Sequence, residues 1–473
     1  MEEQRILYSL MLQPSIFREY DIRGLADIEL PDDGVEQLGR AIGTFLRRNS
    51  PGPGQGLRVN VGRDVRLSSP RLHDAIVCGL RAAGCDVTSI GAAPTPLLYY
   101  SVQHLAADGG VMITGSHNPP EYNGFKTVLG AGTIYGAQIQ EVARIIREQD
   151  FESGTGGYAE GAGGFKEYDA LTPYVTEIAT QFAYPRRVKA VFDTGNGAAG
   201  PALRKLLPRL NVELVELFFE PDGRFPNHHP DPTIEKNLEP LKRAVAATGA
   251  ALGLAFDGDG DRLGAVDEKG NIVWGDTLML IFGREILTRH PGATFIGEVK
   301  CSQMMYDELR RLGGNAVMYK TGHSLIKAKM KELGAALAGE MSGHMFFADR
   351  YYGYDDALYA ACRLIEIVAA SGRPLSAQTE MLPQLFVTPE LRVDCPDDKK
   401  FAVVERVKAY FQARQEVIDV DGVRMLFPHG WGLVRASNTQ PVLVLRFEAT
   451  TPELRDAYRQ EVEAVVAAAV AAA

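Results

Sequence analysis

One order of segments recurs three times along the chain. Each copy has an apolar, strand-like run, then an amphipathic helical run, then a second apolar run. The copies begin at Leu57, Val188 and Ala293. They share almost no sequence identity, but the signals follow in the same order. Alternating strands and helices are typical of α/β folds, so the chain is predicted to contain three similar α/β domains.

Turn-forming stretches suggest where these domains end. Six glycines between Gly154 and Gly164 are interpreted as a flexible connection. An acidic turn at residues 268–271 and the segment 371–383 mark two further boundaries. Beyond the last one, alternating apolar runs and two helical stretches predict a smaller α+β domain. We expect domain I at residues 1–164, domain II at 165–270, domain III at 271–383 and domain IV at 384–473.

Composition excludes several classes of protein. The 473 residues suffice for three or four domains of roughly 100–150 residues each. No run approaches the ~18 apolar residues of a membrane span, and no signal peptide is evident. A net charge of -10 argues against a nucleic-acid-binding face. The five cysteines are scattered without CxxC spacing. We expect a cytoplasmic protein with reduced thiols that binds neither nucleic acid nor membrane.

The stretch VMITGSHNPPEYNGFK, from Val111 to Lys126, carries a candidate nucleophile. A buried strand is predicted to end in a sharp turn at Ser116, because glycine and two prolines prevent the strand from continuing. In doubly wound α/β sheets, ligands bind at the carboxyl ends of the strands, where Ser116 is predicted to lie. His117, Asn118 and Lys126 bring donors that could hold phosphate oxygens. The alternative is an ordinary turn rich in turn-forming residues.

A second motif, LGLAFDGDGDR, predicts a metal site. A strand runs into Asp257, Asp259 and Asp261, whose carboxylates would repel one another without a cation. Oxygen ligands alone favour Mg²⁺ first and Ca²⁺ second. With Glu268 the spacing also fits an EF-hand loop. However, Arg262 stands where that loop needs glycine, and a strand rather than a helix precedes it.

The sequence GNGAAG, from Gly195 to Gly200, matches a dinucleotide-binding fingerprint between a strand and a helix. Glu213 or Glu216 would be the ribose-binding acid. Pro208 shortens the helix that follows, and such glycines are common where a strand packs closely on a helix. Close packing is therefore preferred to NAD binding.

Several later residues could recognise a sugar phosphate. The loop GEMSGH presents Glu340, Ser342 and His344, a mixture of acceptors and donors suited to hydroxyl groups. The loop RASNT has the composition of a phosphate clamp; its polar residues are Arg435, Ser437, Asn438 and Thr439. Weaker candidates are Tyr20, Arg23, Lys300 and His323. His228 and His229, within a proline-rich loop, are assigned no chemistry.

Taken together, the motifs YDIRG, TGSHNP, DGDGDR, KTGHS, GEMSGH and RASNT resemble the α-D-phosphohexomutase superfamily. The closest resemblance is to its bacterial phosphomannomutase/phosphoglucomutase group, and it spans nearly the whole chain. It implies four domains around a central cleft. The first three would share a similar α/β mixed-sheet core, and the fourth would be a smaller, mobile α+β domain.

The resemblance also implies roles for the candidate residues. Ser116 would be the phosphoserine, and Mg²⁺ would bind a phosphate oxygen on Ser116 together with Asp257, Asp259 and Asp261. The residues lining the cleft would be Tyr20, Arg23, Lys126, Arg262, Lys300 and His323. Glu340 and Ser342 would read sugar hydroxyls. The residues gripping the non-reacting phosphate would be Arg435, Ser437, Asn438 and Thr439. One departure is Gly115, where alanine is usual; it is expected to make the turn more flexible.

The implied activity is interconversion of hexose 1-phosphate and hexose 6-phosphate through a hexose 1,6-bisphosphate. Met341 in GEMSGH favours mannose and glucose phosphates as substrates. Three candidates for the general acid/base remain open: Arg23, His117 and Lys126. The alternatives are a phosphoglucosamine mutase, an NAD-dependent sugar-phosphate oxidoreductase built on the Gly195 motif, and a non-catalytic sugar-phosphate sensor. The expected partner is a small phosphosugar, and the expected state is a monomer or weak homo-oligomer.

Overall fold

A computed structural model describes residues 12–50, 56–152, 163–438 and 440–472. These residues divide into two compact units. The first comprises the chain up to Trp274 together with Ser342–Gln378, and the second comprises Gly275–Met341 with Thr379–Ala473.

The first sheet of unit one is mixed. Its strands, in spatial order, are Ile22–Leu25, Tyr122–Leu129, Gly109–Ile113, Leu57–Arg63, Cys85–Ala92 and Phe165–Glu167, with Gly132–Thr133 paired to Tyr122–Leu129. The last four of the six strands run parallel, and the first two pair antiparallel. The helices that accompany it are Ala26–Glu29, Asp32–Asn49, Ser69–Ala82, Thr95–His104 and Ala137–Glu148, with a 3₁₀ turn at Pro14–Ile16.

The pattern of apolar residues explains how these helices cover the sheet. The helix Asp32–Asn49 buries Val35, Leu38, Ile42 and Phe45, which recur every three or four residues and so share one face. The same core contains Val59 and Val61 of the central strand.

The second sheet of unit one is also mixed. Its order is Ile272–Val273, Leu263–Asp267, Leu252–Phe256, Val188–Asp193 and Val212–Leu217. The last three strands are parallel, and the first two are antiparallel. The remaining elements of this unit are the helices Leu171–Gln181, Ala199–Leu206, Glu239–Thr248 and Ala357–Ser371, the 3₁₀ turns Leu207–Arg209, Glu235–Leu238 and Leu375–Gln378, and the strand Met345–Phe347.

Unit two contains parallel and antiparallel sheet in separate parts. The parallel strands are Asn315–Tyr319, Thr294–Glu298 and Leu337–Gly339, accompanied by the helices Gly275–Arg289, Gln303–Arg311 and His323–Leu333. The C-terminal sheet is antiparallel, in the order Phe386–Val387, Val442–Ala449, Gly430–Ala436, Val423–Phe427 and Val417–Ile418, with Leu391–Asp394 also paired to Val442–Ala449. Its helices are Lys400–Gln412 and Pro452–Ala471.

The predicted strand–helix–strand units all form, and in each one the two strands pair in parallel. In the strand–helix–strand copy that begins at Val188, the helix ends at Leu206 and continues as a 3₁₀ turn that contains Pro208. Proline has no backbone N–H to donate, so an α-helix is expected to end near it. The α/β fold class with a separate C-terminal α+β domain is confirmed. The exact domain boundaries stay predictions, and most of the glycine-rich stretch 154–164 lies outside the described residues. Among the residues that are described, no helix is both long and apolar enough to cross a membrane.

Candidate active site

Ser116 lies on a strained turn just after the strand Gly109–Ile113. Its φ is +49°, a left-handed conformation that residues other than glycine rarely adopt, and its side chain is buried. The Thr114 hydroxyl accepts a hydrogen bond from the Ser116 N–H at 2.8 Å. The Ser116 hydroxyl donates to Asp257 Oδ2 at 3.0 Å and lies 3.1 Å from His117 Nδ1. The predicted nucleophile and the first predicted metal ligand are therefore in direct contact.

Asp257, Asp259 and Asp261 converge as predicted. The three side chains are fully buried, and their ligand oxygens lie within 4.8 Å of one another. They follow the strand Leu252–Phe256 in a turn in which Gly260 has φ +73°, a conformation that glycine adopts without strain. Asp257 Oδ1 accepts from the backbone N–H groups of Asp261 and Arg262, both at 3.1 Å. The loop thus wraps around its first carboxylate.

The residues present fit a hard cation. Asp259 Oδ1 is buried and has no hydrogen-bond partner among the described residues, which is unusual for a carboxylate oxygen. Oxygen ligands of this kind suit Mg²⁺ or Ca²⁺. A second buried group, Asp261 with His344 and Asp355, also has ligand atoms within 4.8 Å of one another.

Lys126 partly compensates the carboxylates. Its ammonium donates to Asp259 Oδ2 at 2.9 Å and to Asp261 Oδ2 at 2.5 Å. Burial disfavours the charged ammonium, but the two carboxylates outweigh burial and raise the pKa of Lys126. Burial and the charges of Asp259 and Asp261 raise the pKa of Asp257 well above its usual value. Burial also opposes ionisation of Asp261, but Lys126 and His344 hold the pKa of Asp261 well below normal.

Arg262 and His344 extend the cluster. The Arg262 Nε–H group donates to His344 Nε2 at 3.3 Å, and the guanidinium lies 3.9 Å from Asp257 Oδ2. His344 Nε2 is also 3.2 Å from Asp261 Oδ1, and His344 Nδ1 is 3.1 Å from the Ser342 hydroxyl. Two residues of the GEMSGH loop therefore lie with the serine and the carboxylates in unit one.

The N-terminal candidates lie beside the same loop. Arg23 belongs to a strand that pairs with the strand carrying Lys126, directly opposite Gly124, and it forms an ion pair with Asp21. Burial lowers the pKa of His117 well below its usual value, and the nearby charges of Arg262 and Arg23 add to this effect. Tyr20 is half-buried, two residues before the start of that strand.

The other predicted residues form a separate cluster in unit two. Lys300 Nζ lies 3.3 Å from Glu390 and 3.7 Å from Glu298. Burial opposes the charge of Lys300, but these carboxylates raise its pKa. The buried Glu340 accepts from the Gly322 N–H at 2.8 Å, which places it beside His323, the first residue of the helix His323–Leu333. This cluster therefore combines the Lys300 ammonium with three carboxylates, those of Glu298, Glu340 and Glu390.

The RASNT loop joins this second cluster through Asp421. The carboxylate of Asp421 accepts from Arg435 Nε at 3.0 Å and from the Thr321 N–H at 3.1 Å. Ser437 is buried and accepts from the Gln440 N–H at 3.1 Å, while Asn438 is half-buried. Thr439 lies outside the described residues.

Sequence reasoning missed several residues that shape both clusters. In unit one these are Asp64, Arg66 and Thr95, and in unit two they are Glu298 and Asp421. Asp64 could have been found, because it follows the strand Leu57–Arg63 at the same edge of the sheet as Ser116. The others look like ordinary loop or strand residues in the sequence.

The GNGAAG motif has the close packing that was preferred to NAD binding. A Cβ at Gly197 would lie 2.7 Å from the Gly258 carbonyl oxygen, and one at Gly200 would lie 2.2 Å from that of Phe219. Glu216 is ion-paired with Arg204 at 2.7 Å. The motif thus supports the loop that carries the three aspartates.

In unit one, a buried hydroxyl, three convergent carboxylates and several cations form an arrangement suited to phosphoryl transfer. Comparison with known proteins agrees with a phosphoryl-transfer site. Four family models match the chain in order: phosphoglucomutase/phosphomannomutase alpha/beta/alpha domain I over residues 14–153, domain II over 172–270, domain III over 274–386 and the C-terminal domain over 390–465.

Relatives of known name support the same assignment. The chain is 44% identical over 460 residues to a phosphomannomutase/phosphoglucomutase of Pseudomonas aeruginosa, covering 96% of each chain. It is 43% identical over 454 residues to a phosphoglucomutase of Neisseria gonorrhoeae, covering 95% of this chain and 96% of that one. A crystal structure of a phosphoglucomutase/phosphomannomutase family protein from Burkholderia thailandensis has a TM-score of 0.89 at 43% identity, covering 97% of this chain and 98% of that one. The chain belongs to the phosphoglucomutase/phosphomannomutase family, and it is a hexose-phosphate mutase, an isomerase.

Proposed function

We propose that the chain interconverts the 1-phosphates and 6-phosphates of mannose and glucose through a phosphate carried by Ser116, with hexose 1,6-bisphosphate as intermediate and activator. The observation that carries this proposal is the contact of 3.0 Å between the buried Ser116 hydroxyl and Asp257. A strained backbone conformation costs free energy, and such conformations cluster at functional sites. A serine in an ordinary turn is not expected to be buried in one against a carboxylate cluster.

The transfer uses groups that surround Ser116. A hydroxyl oxygen of the hexose phosphate attacks the phosphorus, the bond between phosphorus and Ser116 Oγ breaks, and the hydroxyl proton passes to a base. The product is a bisphosphate, which turns around and returns its other phosphate to Ser116. Lys126 and Arg262 provide positive charge beside the serine, where negative charge develops on the phosphoryl group. Arg23, His117 and Lys126 are the candidates for the base, and comparing kcat of their single variants tests them.

We assign the metal site to Asp257, Asp259 and Asp261, with Mg²⁺ as the cation. A bound Mg²⁺ would neutralise these carboxylates and withdraw charge from the oxygens of the transferring phosphoryl group. The partly satisfied Asp259 supports this assignment, because a cation gives its buried Oδ1 a partner.

The cluster in unit two is assigned to substrate recognition. In unit two, Glu340 provides an acceptor for sugar hydroxyls. In unit one, Ser342 and His344 are assigned as donors to sugar hydroxyls. The ammonium of Lys300 and the imidazole of His323 suit an anionic sugar phosphate. The residues assigned to the non-reacting phosphate are Arg435, Ser437, Asn438 and Thr439.

Intact mass spectrometry tests the phosphoserine directly. Incubation with glucose 1,6-bisphosphate should add the mass of one phosphate to the wild type and none to Ser116→Ala. Ser371→Ala is a control, because Ser371 is the last residue of the helix Ala357–Ser371. Its hydroxyl bonds the backbone of Val368 and Arg373 and the side chain of Gln378, none of which is a proposed site residue. A wild type that gains no phosphate under any condition would reject Ser116 as the carrier.

The choice of hexose has its own test. Turnover of mannose 1-phosphate, glucose 1-phosphate and glucosamine 1-phosphate is compared under identical conditions. We expect the first two to react, and a strong preference for the amino sugar would favour the phosphoglucosamine mutase alternative. Titration with NAD checks the redox alternative, since tight binding without mutase activity would support it.

A further inference from the structure

Arg66 is a fully buried arginine with no place in the proposed chemistry. It lies in the loop after the strand Leu57–Arg63, whose parallel neighbour Gly109–Ile113 leads into the Ser116 turn. A guanidinium has five N–H donors, and burial makes each unused donor costly. Its bonds reach Asp64 Oδ2 at 3.1 Å and the carbonyl oxygens of Ser116 at 2.8 Å, Asn118 at 2.6 Å, Pro119 at 2.5 Å and Tyr122 at 2.9 Å.

Gly115 makes this contact possible. A Cβ at that position would lie only 2.4 Å from Arg66 Cζ and Nε and 2.8 Å from the Tyr122 carbonyl oxygen, which itself accepts from Arg66. The guanidinium and this carbonyl therefore occupy the space that an alanine side chain would need. Gly115 thereby admits an arginine that binds the turn from one side. Its effect on the flexibility of the turn stays a prediction.

Asp64 completes the arrangement. Its Oδ2 accepts from the Gly115 N–H at 3.0 Å, and its Oδ1 accepts from the Arg66 N–H at 3.0 Å and from the Ser69 hydroxyl at 2.5 Å. The ring of Phe225 covers the guanidinium at 5.2 Å. Asp64 therefore fixes the backbone before Ser116, while Arg66 fixes the carbonyl of Ser116 and those after it.

We infer that Arg66 and Asp64 are positioning residues that hold Ser116 in its left-handed conformation, with its hydroxyl directed at Asp257. Such a conformation persists only when its surroundings enforce it. Lysine cannot replace this arginine, since its donors share one nitrogen and cannot bond the four carbonyl groups and Asp64 together. The inference rests on the proposed function, in which Ser116 accepts and donates the phosphate.

The test measures the rate at which Ser116 gains phosphate from glucose 1,6-bisphosphate, followed by intact mass, together with kcat and KM. We expect Arg66→Lys and Asp64→Asn to slow phosphorylation and lower kcat by about 10- to 100-fold, as is usual when a reacting group is misplaced by about 1 Å. KM should change little, because no sugar-recognition group is altered. Arg71→Lys, in the helix that follows, is the control and should match the wild type.

A double-mutant cycle separates positioning from folding. Gly115→Ala should slow phosphorylation in the wild-type background through its collision with Arg66. In the Arg66→Lys background the guanidinium is gone and only the closer approach to the Tyr122 carbonyl remains, so the same change should cost less. Rates are normalised to the folded fraction, measured by near-UV circular dichroism. Asp64→Asn keeps the size of the side chain, and it tests the positioning role if the Arg66 variant does not fold.

The outcomes distinguish a failure of the proposed phosphoserine from a failure of the positioning role of Arg66 and Asp64. A wild type that never gains phosphate would overturn the phosphoserine itself. A wild type that gains phosphate, with Arg66→Lys and Asp64→Asn equally fast, would overturn only the positioning role. Equal effects of Gly115→Ala in both backgrounds would also contradict it.

Discussion

Asp259 shows at the scale of one residue why the carboxylate cluster is built for a cation. Its Oδ2 accepts from Lys126 at 2.9 Å and from the Thr95 hydroxyl at 2.6 Å, whereas its buried Oδ1 has no partner in the described part of the chain. Leaving such an atom unsatisfied costs about 1–3 kcal/mol. Burial and Asp261 disfavour its charged form, yet Lys126 and Thr95 outweigh them and lower the pKa of Asp259. A bound cation would complete this set of contacts.

Removal of divalent cations should therefore lower both stability and activity. A ligand that binds only the folded state stabilises it by about 2.7 kcal/mol at 100 times its Kd. Chelation should lower Tm, and added Mg²⁺ should restore it. Asp257→Asn and Asp259→Asn should weaken this response, measured by differential scanning calorimetry. Asp222→Asn is the control, because among the described residues the Asp222 carboxylate bonds only Arg224. A Tm that ignores both chelator and Mg²⁺ in the wild type would argue against the metal site.

Asp356 predicts a pH dependence that is separate from catalysis. It caps the helix Ala357–Ser371 by accepting from the Tyr359 N–H, and burial raises its pKa to about 6 despite bonds from Tyr359, Tyr351 and Tyr174. The folded state then keeps a proton that the unfolded chain releases near pH 4. Its contribution to stability is present below about pH 4 and is lost as pH rises through about 6, a change of about 3 kcal/mol.

Asp356→Asn should remove this dependence. Urea unfolding of the variant between pH 4 and 7 should give a flatter profile of unfolding free energy than the wild type gives. Asp74→Asn, at a side chain that is 85% exposed, should leave the profile unchanged. Parallel profiles for Asp356→Asn and the wild type would mean that Asp356 does not bind this proton.

At the scale of elements, Glu298 explains how one strand end organises three loops. It is the last residue of the strand Thr294–Glu298 and is fully buried. Its carboxylate accepts from the Thr321 hydroxyl at 2.7 Å, the Lys300 N–H at 3.1 Å and the Met341 N–H at 3.2 Å. The loops that carry Lys300, His323 and Glu340 are thus tied to a single side chain.

Glu298→Gln should impair substrate binding more than phosphorylation of Ser116. An amide retains one acceptor oxygen but turns an NH₂ group toward backbone donors, so about 1–3 kcal/mol of loop stability is lost. We expect KM to rise about tenfold, which corresponds to about 1.4 kcal/mol, with little change in the rate of phosphorylation by mass spectrometry. Glu332→Gln, at a side chain that is 61% exposed, is the control. An unchanged KM would show that the loops hold without Glu298.

The elements also show how far the sequence could be interpreted. Strand ends were predictable because apolar runs and glycines mark them, and so Ser116, the three aspartates and Lys300 were placed at the ends of strands. The bonds of Arg66 and Glu298 were not predictable. In the sequence Arg66 looks like a solvated residue and Glu298 like part of a strand, and only the folded chain brings carbonyl or N–H groups from distant segments to them. The left-handed φ of Ser116 depends on those same contacts.

At the scale of the whole molecule, each unit has its own hydrophobic core and its own polar cluster. In unit two, the C-terminal sheet is joined to the segment around Lys300 by a buried arginine. Arg424 Nη1 donates to the carbonyl oxygens of Val299 at 2.7 Å and Cys301 at 2.8 Å. Its guanidinium stacks on Trp431 at 3.7 Å, and burial lowers its pKa to about 10. The two carbonyl groups that Arg424 bonds are those of the residues on either side of Lys300, so this contact holds the Lys300 segment against the C-terminal sheet.

Arg424→Met should loosen unit two as a whole. The change leaves two buried carbonyls without this donor and removes the stacked cation, at a combined cost of roughly 3–5 kcal/mol. Hydrogen exchange should rise in residues 294–319 and 423–449 and stay unchanged in residues 109–129 of unit one. Arg414→Met is a matched control, because Arg414 stacks on Tyr410 at the same 3.7 Å but on the exposed surface, where such contacts contribute less than about 1 kcal/mol. Equal exchange in the two variants would mean that the stacked ring, rather than the carbonyl bonds, carries what stability Arg424 provides. Faster exchange in Arg424→Met alone would show that the Lys300 segment and the C-terminal sheet form one cooperative body, so that a phosphate bound by Arg435 and a sugar held near Lys300 would stabilise the same unit.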